Sequence, residues 1–174
     1  MEDTNWDDQS DPCEGLNIFP DQSSAIEELL SELKERCPAQ FILLTDTNGH
    51  LVTTLGDKDN QHLVELSSLI AGDMAASQEI SRLTGQYKNS QLVMREGQKA
   101  TSFIAEAGLQ LILFVQLTRD VPLGWARLLI NEIGRKIGEI IKTPPETGQN
   151  TDIGLDNQQF TEAVDKALDS MWNG

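Results

Sequence analysis

The sequence has few of the residues from which disulfides, metal sites and catalytic centres are built. It contains two cysteines and two histidines in 174 residues. Cys13 lies in a polar tail and Cys37 at a predicted helix end, which fits neither a disulfide framework nor a metal-ligand spacing. His50 and His62 show no spacing that pairs them with Cys, Ser or carboxylates, as zinc binding or nucleophilic catalysis requires. We therefore expect no metal, no cofactor and no catalytic residue, and a protein that is not itself an enzyme.

Positive charge is also scarce. The chain has 13 Lys and Arg against 28 Asp and Glu, a net charge of −15. Much of the excess lies at the ends, because residues 1–22 hold seven acids and no Lys or Arg, and residues 143–174 hold six acids and one Lys. Nucleic acids and anionic membrane surfaces attract clustered Lys and Arg. The sequence therefore predicts that neither is a partner.

A long apolar run is the third absence. The most apolar helical stretch is interrupted by charged residues, among them Arg135, Lys136 and Glu139, whereas a membrane-spanning helix needs about 20 mainly apolar residues. The N-terminus is acidic and polar, while a secretory signal begins with basic residues and continues with an apolar run. We expect no membrane insertion and a cytoplasmic location.

Between the acidic ends, residues 23–142 carry the alternating helical and β-type patterns of one domain. A helix is expected to begin at Ser24, because Ser24 and Glu27 form a capping-box pattern. Asn48-Gly49 is a hairpin signal between the first two β-type runs. The remaining order is β-type runs at 41–45 and 51–55, a helix at 60–83, β-type runs at 91–95, 99–106 and 110–117, and a helix at 122–142.

The helix at 60–83 carries more apolar surface than one sheet needs. A turn of about 100° per residue produces two neighbouring apolar stripes. The first stripe consists of Leu63, Leu66, Ile70 and Met74, and the second of Leu69, Ala76, Ile80 and Leu83. Asp73 lies within the apolar arc, where an ionised carboxylate needs a partner, which we expect across an interface. The surplus favours self-association, although a helix buried wholly within its own domain would show the same pattern.

The two ends are predicted to differ from the domain between them. Residues 1–22 read as a flexible acidic leader, residues 143–155 as a polar linker and residues 156–174 as an amphipathic helix. The apolar stripe of that helix consists of Phe160, Val164, Leu168, Met171 and Trp172. The linker leaves open whether the helix docks on its own domain, on a second copy or on another protein.

The order of elements, together with three sequence stretches, resembles the Roadblock/dynein light chain family. The stretches are FILLTDTNGHLVTTLGD, LSSLIAGDMAAS and LQLILFVQL, and the resemblance covers residues 23–142. It implies an α+β fold, an α/β/α sandwich with a five-stranded antiparallel sheet of the Roadblock/longin-like and profilin-like kind. The long second helix would lie on one face, and the first and last helices on the other. The predicted C-terminal amphipathic helix is additional to this fold.

The resemblance also implies how two copies would join. In the family, the long helix and the third strand of each copy meet, so that two sheets become one. The residues expected at this dimer interface are Leu63, Leu66, Ile70, Met74, Leu92 and Met94. Other Roadblock/longin-like proteins are further possible partners.

The freestanding prokaryotic members of the family, the MglB-like regulators of gliding polarity, suggest a function. They bind the GTP form of a small Ras-like GTPase as a homodimer and promote hydrolysis without contributing an arginine finger. The stripe from Phe160 to Trp172 resembles a C-terminal helix that reaches the GTPase in some of them. Two other functions stay open from the sequence: a Roadblock scaffold subunit with no effect on hydrolysis, and a small-molecule sensor domain.

Overall fold

The computed structural model describes residues 16–56, 62–85 and 91–143. Within these ranges it contains three helices and five strands. In chain order they are α1 Pro20–Arg36, β1 Ala39–Asp46, β2 Leu51–Gly56, α2 Leu63–Leu83, β3 Leu92–Glu96, β4 Ala100–Glu106, β5 Leu111–Thr118 and α3 Leu123–Lys142. The predicted order of elements is confirmed.

The five strands form one antiparallel sheet in the order β2-β1-β5-β4-β3. Alternate residues of each strand face opposite sides, and both sides are covered. Ile42 and Leu44 of β1 belong to the core cluster that contains the buried residues of α1 and α3. Phe41 and Leu43 belong to the cluster that contains the buried residues of α2. The predicted α/β/α sandwich is therefore confirmed, with β5 as a central strand.

Two glycines at the hairpin turns adopt conformations that other residues rarely take. Gly49 has a φ of 88° and Gly108 a φ of 82°, in the left-handed region that glycine enters without steric cost. Gly49 follows Asn48 as the hairpin signal predicts, and its N–H donates to the Asp46 carbonyl at 3.1 Å.

Helix α1 begins four residues before the predicted start at Ser24. Pro20 occupies the first helical position, where its missing N–H costs nothing. The Phe19 N–H donates to Gln22 Oε1 at 3.1 Å, and Gln22 Nε2 donates to the Ile140 and Thr143 carbonyls at the end of α3. Gln22 thus ties the start of α1 to the end of α3, a long-range contact that the local Ser24 pattern does not reveal.

The segment before α1 also contacts the domain. Leu16 and Ile18 are half-buried against the core cluster beneath α1 and α3. The boundary of the acidic leader, predicted at residue 22, therefore moves back to a point before Leu16. The rest of the predicted leader, residues 1–15, lies outside the described residues, as do the predicted linker after Thr143 and the helix at 156–174.

Helix α3 lies close to the sheet because two of its residues have no side chain. A Cβ on Gly134 would lie 2.8 Å from the Glu106 carbonyl oxygen, and one on Gly138 would lie 2.7 Å from Gly108 Cα. The predicted close packing at Gly134 and Gly138 is confirmed. Among the described helices, none has the length and hydropathy of a membrane span.

Candidate protein-interaction surface

The two apolar stripes of α2 have different surroundings. Ile70 and Met74 are 3% and 1% exposed, and they pack in one cluster with Phe41, Ile104 and Ile112 of the sheet. Leu63 and Leu66 are half-buried against the same cluster. The chain's own sheet therefore covers Ile70 and Met74, while Leu63 and Leu66 keep part of their surface exposed. That these four residues form the dimer interface stays a prediction. A helix must bury the sheet beneath it before it can offer surface to a partner.

The second stripe is the one that remains uncovered. Leu69, Ile80 and Leu83 are 71%, 61% and 70% exposed. Gly72 and Ala76 lie between them on the same arc, and a Cβ added to Gly72 would meet nothing within 4 Å. Large aliphatic side chains grouped on one exposed helical face mark a contact site more often than an ordinary surface. We call Leu69, Gly72, Ala76, Ile80 and Leu83 the exposed stripe.

The edge of the sheet nearest to the exposed stripe is β3, the last strand in the sheet order. Leu92 is half-buried against the cluster beneath α1 and α3, and Met94 is exposed. Both were predicted at the dimer interface, and their place on an edge strand is compatible with that prediction. An edge strand presents unpaired backbone N–H and C=O groups that can bind another strand.

An ion pair joins α2 to this edge strand. Asp73 Oδ1 accepts a hydrogen bond from Arg95 Nη2 at 2.6 Å. The partner expected for Asp73 across an interface is thus found within the chain. On the helical circumference Asp73 borders Leu69 and Ile80, so the exposed stripe is turned toward the β3 edge.

Two buried oxygen atoms along the junction of α2 and β3 have no hydrogen-bond partner among the described residues. They are Asp73 Oδ2 and Gln91 Oε1. The remaining polar groups of Gln91 are engaged, since its Nε2 donates to Ser81 Oγ at 3.0 Å and its backbone N–H to Glu106 Oε2 at 3.0 Å. Buried acceptors are nearly always satisfied in native proteins. Both atoms are therefore exceptions to this rule within the described residues.

His50 has a structural partner that sequence spacing did not indicate. Its ring Nδ1 lies 2.8 Å from Asp46 Oδ2, and Asp46 Oδ1 accepts from the Asn48 and His50 backbone N–H groups at 2.9 and 2.8 Å. Burial by itself raises the pKa of the Asp46 carboxyl, but the hydrogen bonds from His50 and Asn48 outweigh it, so the pKa lies below its ordinary value. The arrangement closes the β1–β2 turn.

The other candidate reactive groups of the described residues are His62 and Cys37, and His62 Nδ1 lies 3.4 Å from Glu65 Oε2 in the first turn of α2. Within residues 16–56, 62–85 and 91–143, no group of three or more His, Cys, Asp or Glu is placed to hold a metal ion. Cys37 is buried, and burial raises the pKa of its thiol. A thiol with a raised pKa is a poor nucleophile at neutral pH.

Sequence reasoning missed another exposed apolar site, which is formed by two leucines. Leu109 in the β4–β5 turn and Leu128 on α3 are exposed and line one groove with Arg135 and Glu139. The signal for Leu109 was present, because an apolar residue directly after a turn glycine has no strand to bury it. Leu128 lies off the inward stripe of α3, where it adds to this groove.

Comparison with known proteins was made by sequence and by structure. No protein-family model matches the chain, and no curated protein matches it. Among solved structures, Myxococcus xanthus MglB is similar at 27% identity and a TM-score of 0.62, over 67% of this chain and 94% of that one. An MglB with a tetrameric arrangement is similar at 22% identity and a TM-score of 0.66, over 73% of this chain and 95% of that one.

A third solved structure extends the likeness beyond MglB. The Roadblock/LC7 domain from Streptomyces avermitilis is similar at 18% identity and a TM-score of 0.60, over 67% of this chain and 97% of that one. The three structures are covered almost completely, so the likeness extends over their whole domains. The chain therefore has a Roadblock/MglB-like fold.

Proposed function

We propose that this chain is a cytoplasmic regulator of a small Ras-like GTPase, which it binds in the GTP form as a homodimer and whose GTP hydrolysis it promotes. The observation that carries the proposal is the likeness to Myxococcus xanthus MglB at 27% identity over 94% of that chain. The resemblance to MglB-like members of the Roadblock family implies this activity and a role in cell polarity.

Self-association is supported by the exposed surface. The exposed stripe of α2 and the open edge of β3 lie side by side, and each lacks a covering element within the described residues. Burial of apolar side chains stabilises association by roughly 25 cal/mol per Å² removed from water. The tetrameric arrangement of one similar MglB is a precedent for assembly on this fold.

The proposed mechanism requires no catalytic residue from this chain. GTP hydrolysis depends on placing the attacking water and neutralising charge on the transferred phosphoryl group. A protein that binds one conformation of the GTPase switch loops better than the others raises the population of that conformation. A tenfold rate increase needs about 1.4 kcal/mol of such preference. Positioning the GTPase's own groups is therefore sufficient.

The C-terminal helix has a role in this proposal. The predicted apolar stripe containing Phe160, Leu168 and Trp172 would lie on the GTPase and affect nucleotide exchange. A chain truncated after residue 155 would then still accelerate GTP hydrolysis. The rate of nucleotide exchange on the GTPase would differ from the rate measured with the untruncated chain.

The test is to measure binding and single-turnover hydrolysis on the same GTPases. Ras-like GTPases of the source organism are loaded with GTP or GDP and mixed with the protein. We expect tighter binding to the GTP form and hydrolysis accelerated about tenfold or more. No binding to any GTPase, or equal binding to both nucleotide forms, would contradict the proposal.

A scaffold function is the second candidate. The exposed stripe and the β3 edge would also suit pairing with another Roadblock or longin-like chain, since sheet extension does not require an identical partner. The same assay separates the two functions. Binding to the GTP form without acceleration would favour the scaffold.

A further inference from the structure

The groove that contains Leu109 and Leu128 is an apolar opening on the side of the sheet that carries α1 and α3. It has a volume of about 700 Å³. Leu109 is 85% exposed and Leu128 is 69% exposed, and Asn131, Arg135 and Lys142 continue the wall that α3 forms. We call this opening the α3 groove. Large apolar side chains that face one groove and remain open to water mark a contact site more often than an ordinary surface.

The charged groups of the α3 groove are paired within the described residues, with one exception. Its three carboxylates belong to Glu106, Glu132 and Glu139, and their side-chain partners are Gln78, Lys136 and Arg135 in that order. Lys142 has no ion-pair partner among the described residues. An unpaired cation beside an apolar groove favours a ligand that carries both a carboxylate and apolar surface.

Helix α3 is the basic one of the three described helices. It carries four Lys and Arg against two Glu, whereas α1 has two Lys and Arg against five acids and α2 has one Arg against three acids. Residues 1–15 have the opposite charge, because they hold six acids and no Lys or Arg. We call them the acidic segment. Charge complementarity therefore favours α3 as the place where the acidic segment binds.

The acidic segment joins the described domain near the α3 groove. Leu16 packs in the core cluster beneath α1 and α3, and it lines a cleft with Asp46 at the end of β1. The Thr47 N–H donates to the Gln110 carbonyl at 3.1 Å, and Gln110 follows Leu109 directly. Adjacent strands such as β1 and β5 are about 5 Å apart. Leu16 and the groove therefore lie at the same end and on the same side of the sheet.

Trp6 is the aromatic side chain of the acidic segment, and Asp7 and Asp8 follow it directly. Tryptophan is among the residues that most often anchor a protein contact. Ten residues along the chain from Trp6 lead to Leu16, and at about 3.3 Å per residue they can span about 33 Å. Five strands cover a width of about 20 Å. The α3 groove is therefore within the reach of Trp6.

We propose that the acidic segment binds in the α3 groove of its own chain, with the Trp6 ring against Leu109 and Leu128 and the carboxylates that follow it beside Lys142. The ring removes the apolar surface of the two leucines from water. Lys142 gains the carboxylate partner that it lacks among the described residues. The α3 groove and α2 lie on opposite sides of the sheet, so this contact is independent of the homodimer and the GTPase of the proposed function.

A spin label near Trp6 tests where the acidic segment binds. Thr4→Cys is made in the full chain together with Cys13→Ser, and the remaining Cys37 is buried with a raised thiol pKa, so it reacts poorly with a thiol-specific nitroxide. A nitroxide broadens the NMR signals of amides that lie close to it. We expect strong broadening at the Leu109 amide and none at the Ile80 amide of the exposed stripe.

Two matched pairs of substitutions show whether the α3 groove holds the segment. Leu128 and Val64 are both 69% exposed, the first in the groove and the second on α2. Lys142 and Lys34 are both exposed and have no ion-pair partner among the described residues. We expect Leu128→Glu and Lys142→Glu to remove most of the broadening at Leu109, and Val64→Glu and Lys34→Glu to retain it. If Leu128→Glu fails to fold by circular dichroism, Lys142→Glu carries the same test.

Trp6→Ala tests the anchor itself and should also remove the broadening. No broadening at Leu109, or equal broadening in all four charge variants, would overturn binding in the α3 groove. Broadening that survives Trp6→Ala would overturn the role of the ring. A mixture of spin-labelled chain and isotope-enriched chain without the label should show no broadening. If it does, the segment binds a second copy, and the assignment to its own chain is overturned.

Discussion

Asp46 shows how one residue holds the turn that Asn48-Gly49 begins. Its carboxylate accepts hydrogen bonds from two backbone N–H groups and from the His50 ring. These bonds favour the charged form and lower the pKa of the carboxyl despite its burial. Because the folded state binds this proton less readily than the unfolded state, the contribution to stability is present above the unfolded pKa. It is lost as the pH falls through the folded pKa.

Asp46→Asn therefore tests the charge in this turn. We expect the variant to lower the free energy of unfolding by about 1–3 kcal/mol at pH 7, and the difference from wild type to shrink below about pH 4. Urea unfolding at pH 7 and pH 3, followed by circular dichroism, measures both values. Glu35→Gln, at an exposed position on α1, is the control and should change stability by less than about 0.5 kcal/mol. An equal loss at both pH values would contradict this account.

Single residues were also the scale at which sequence reasoning failed. Ile70 and Leu69 are neighbours of similar hydrophobicity, yet the side chain of Ile70 is buried between α2 and the sheet and the side chain of Leu69 is exposed. Periodicity fixes the angle between two stripes but not which stripe faces the sheet, because that depends on strands distant in sequence. The contact between Gln22 and the end of α3 was unpredictable for the same reason.

The packing of α3 against the β4–β5 hairpin depends on paired glycines. Gly138→Ala would place a Cβ 2.7 Å from Gly108 Cα, and a backbone atom cannot move aside as a side chain can. We expect a loss of about 1–3 kcal/mol of unfolding free energy from overpacking. Gly124→Ala, also in α3, is the matched control, because nothing lies within 4 Å of its Cβ position. It should be neutral or stabilising by up to about 1 kcal/mol. Equal stability of the two variants in urea unfolding would contradict the close contact.

The two stripes of α2 can be separated by substitution. Ile80→Glu should leave the fold intact and raise the dimer dissociation constant at least about tenfold, because it places a charge in the exposed stripe. Ile70→Asp should instead reduce the stability of the domain by several kcal/mol, since it buries an unpaired carboxylate. Circular dichroism and analytical ultracentrifugation distinguish these outcomes.

Val64→Glu is the control for the exposed stripe. Val64 is as exposed as Leu69 but lies outside the stripe on the helical circumference. Its substitution should change neither the fold nor the association. If Ile80→Glu remains as dimeric as Val64→Glu, the exposed stripe is not the interface.

The type and order of the secondary-structure elements were predicted more accurately than the surroundings of single side chains. The five strands and the helices of the domain were recognisable because each carries its own period, and because turn residues such as Asn48-Gly49 separate them. The start of α1 was predicted too late because Ser24 offers a local capping pattern. In the structure Pro20 begins the helix, and Ser24 Oγ donates to the Pro20 carbonyl within its first turn.

At the scale of the whole molecule, the fold follows from the order of its elements, and the function does not. An antiparallel sheet with α2 on one face and α1 and α3 on the other buries a core, whatever its surface binds. The features that bear on function are the uncovered ones: the exposed stripe, the β3 edge and the two unpaired acceptors. A single sequence could indicate this apolar surplus but not what covers it, because a covering partner would be a molecule that the sequence does not contain.

The measurement that tests the account most directly is single-turnover GTP hydrolysis by the cognate Ras-like GTPase, titrated with this protein. The account predicts a faster rate that rises with the concentration of this protein and then saturates. It also predicts that Val64→Glu has the same titration curve as the wild type. The curve of Ile80→Glu should be shifted to higher concentrations of the variant. A hydrolysis rate that stays at its basal value across the titration, with the GTP-bound GTPase present throughout, would contradict the regulatory function.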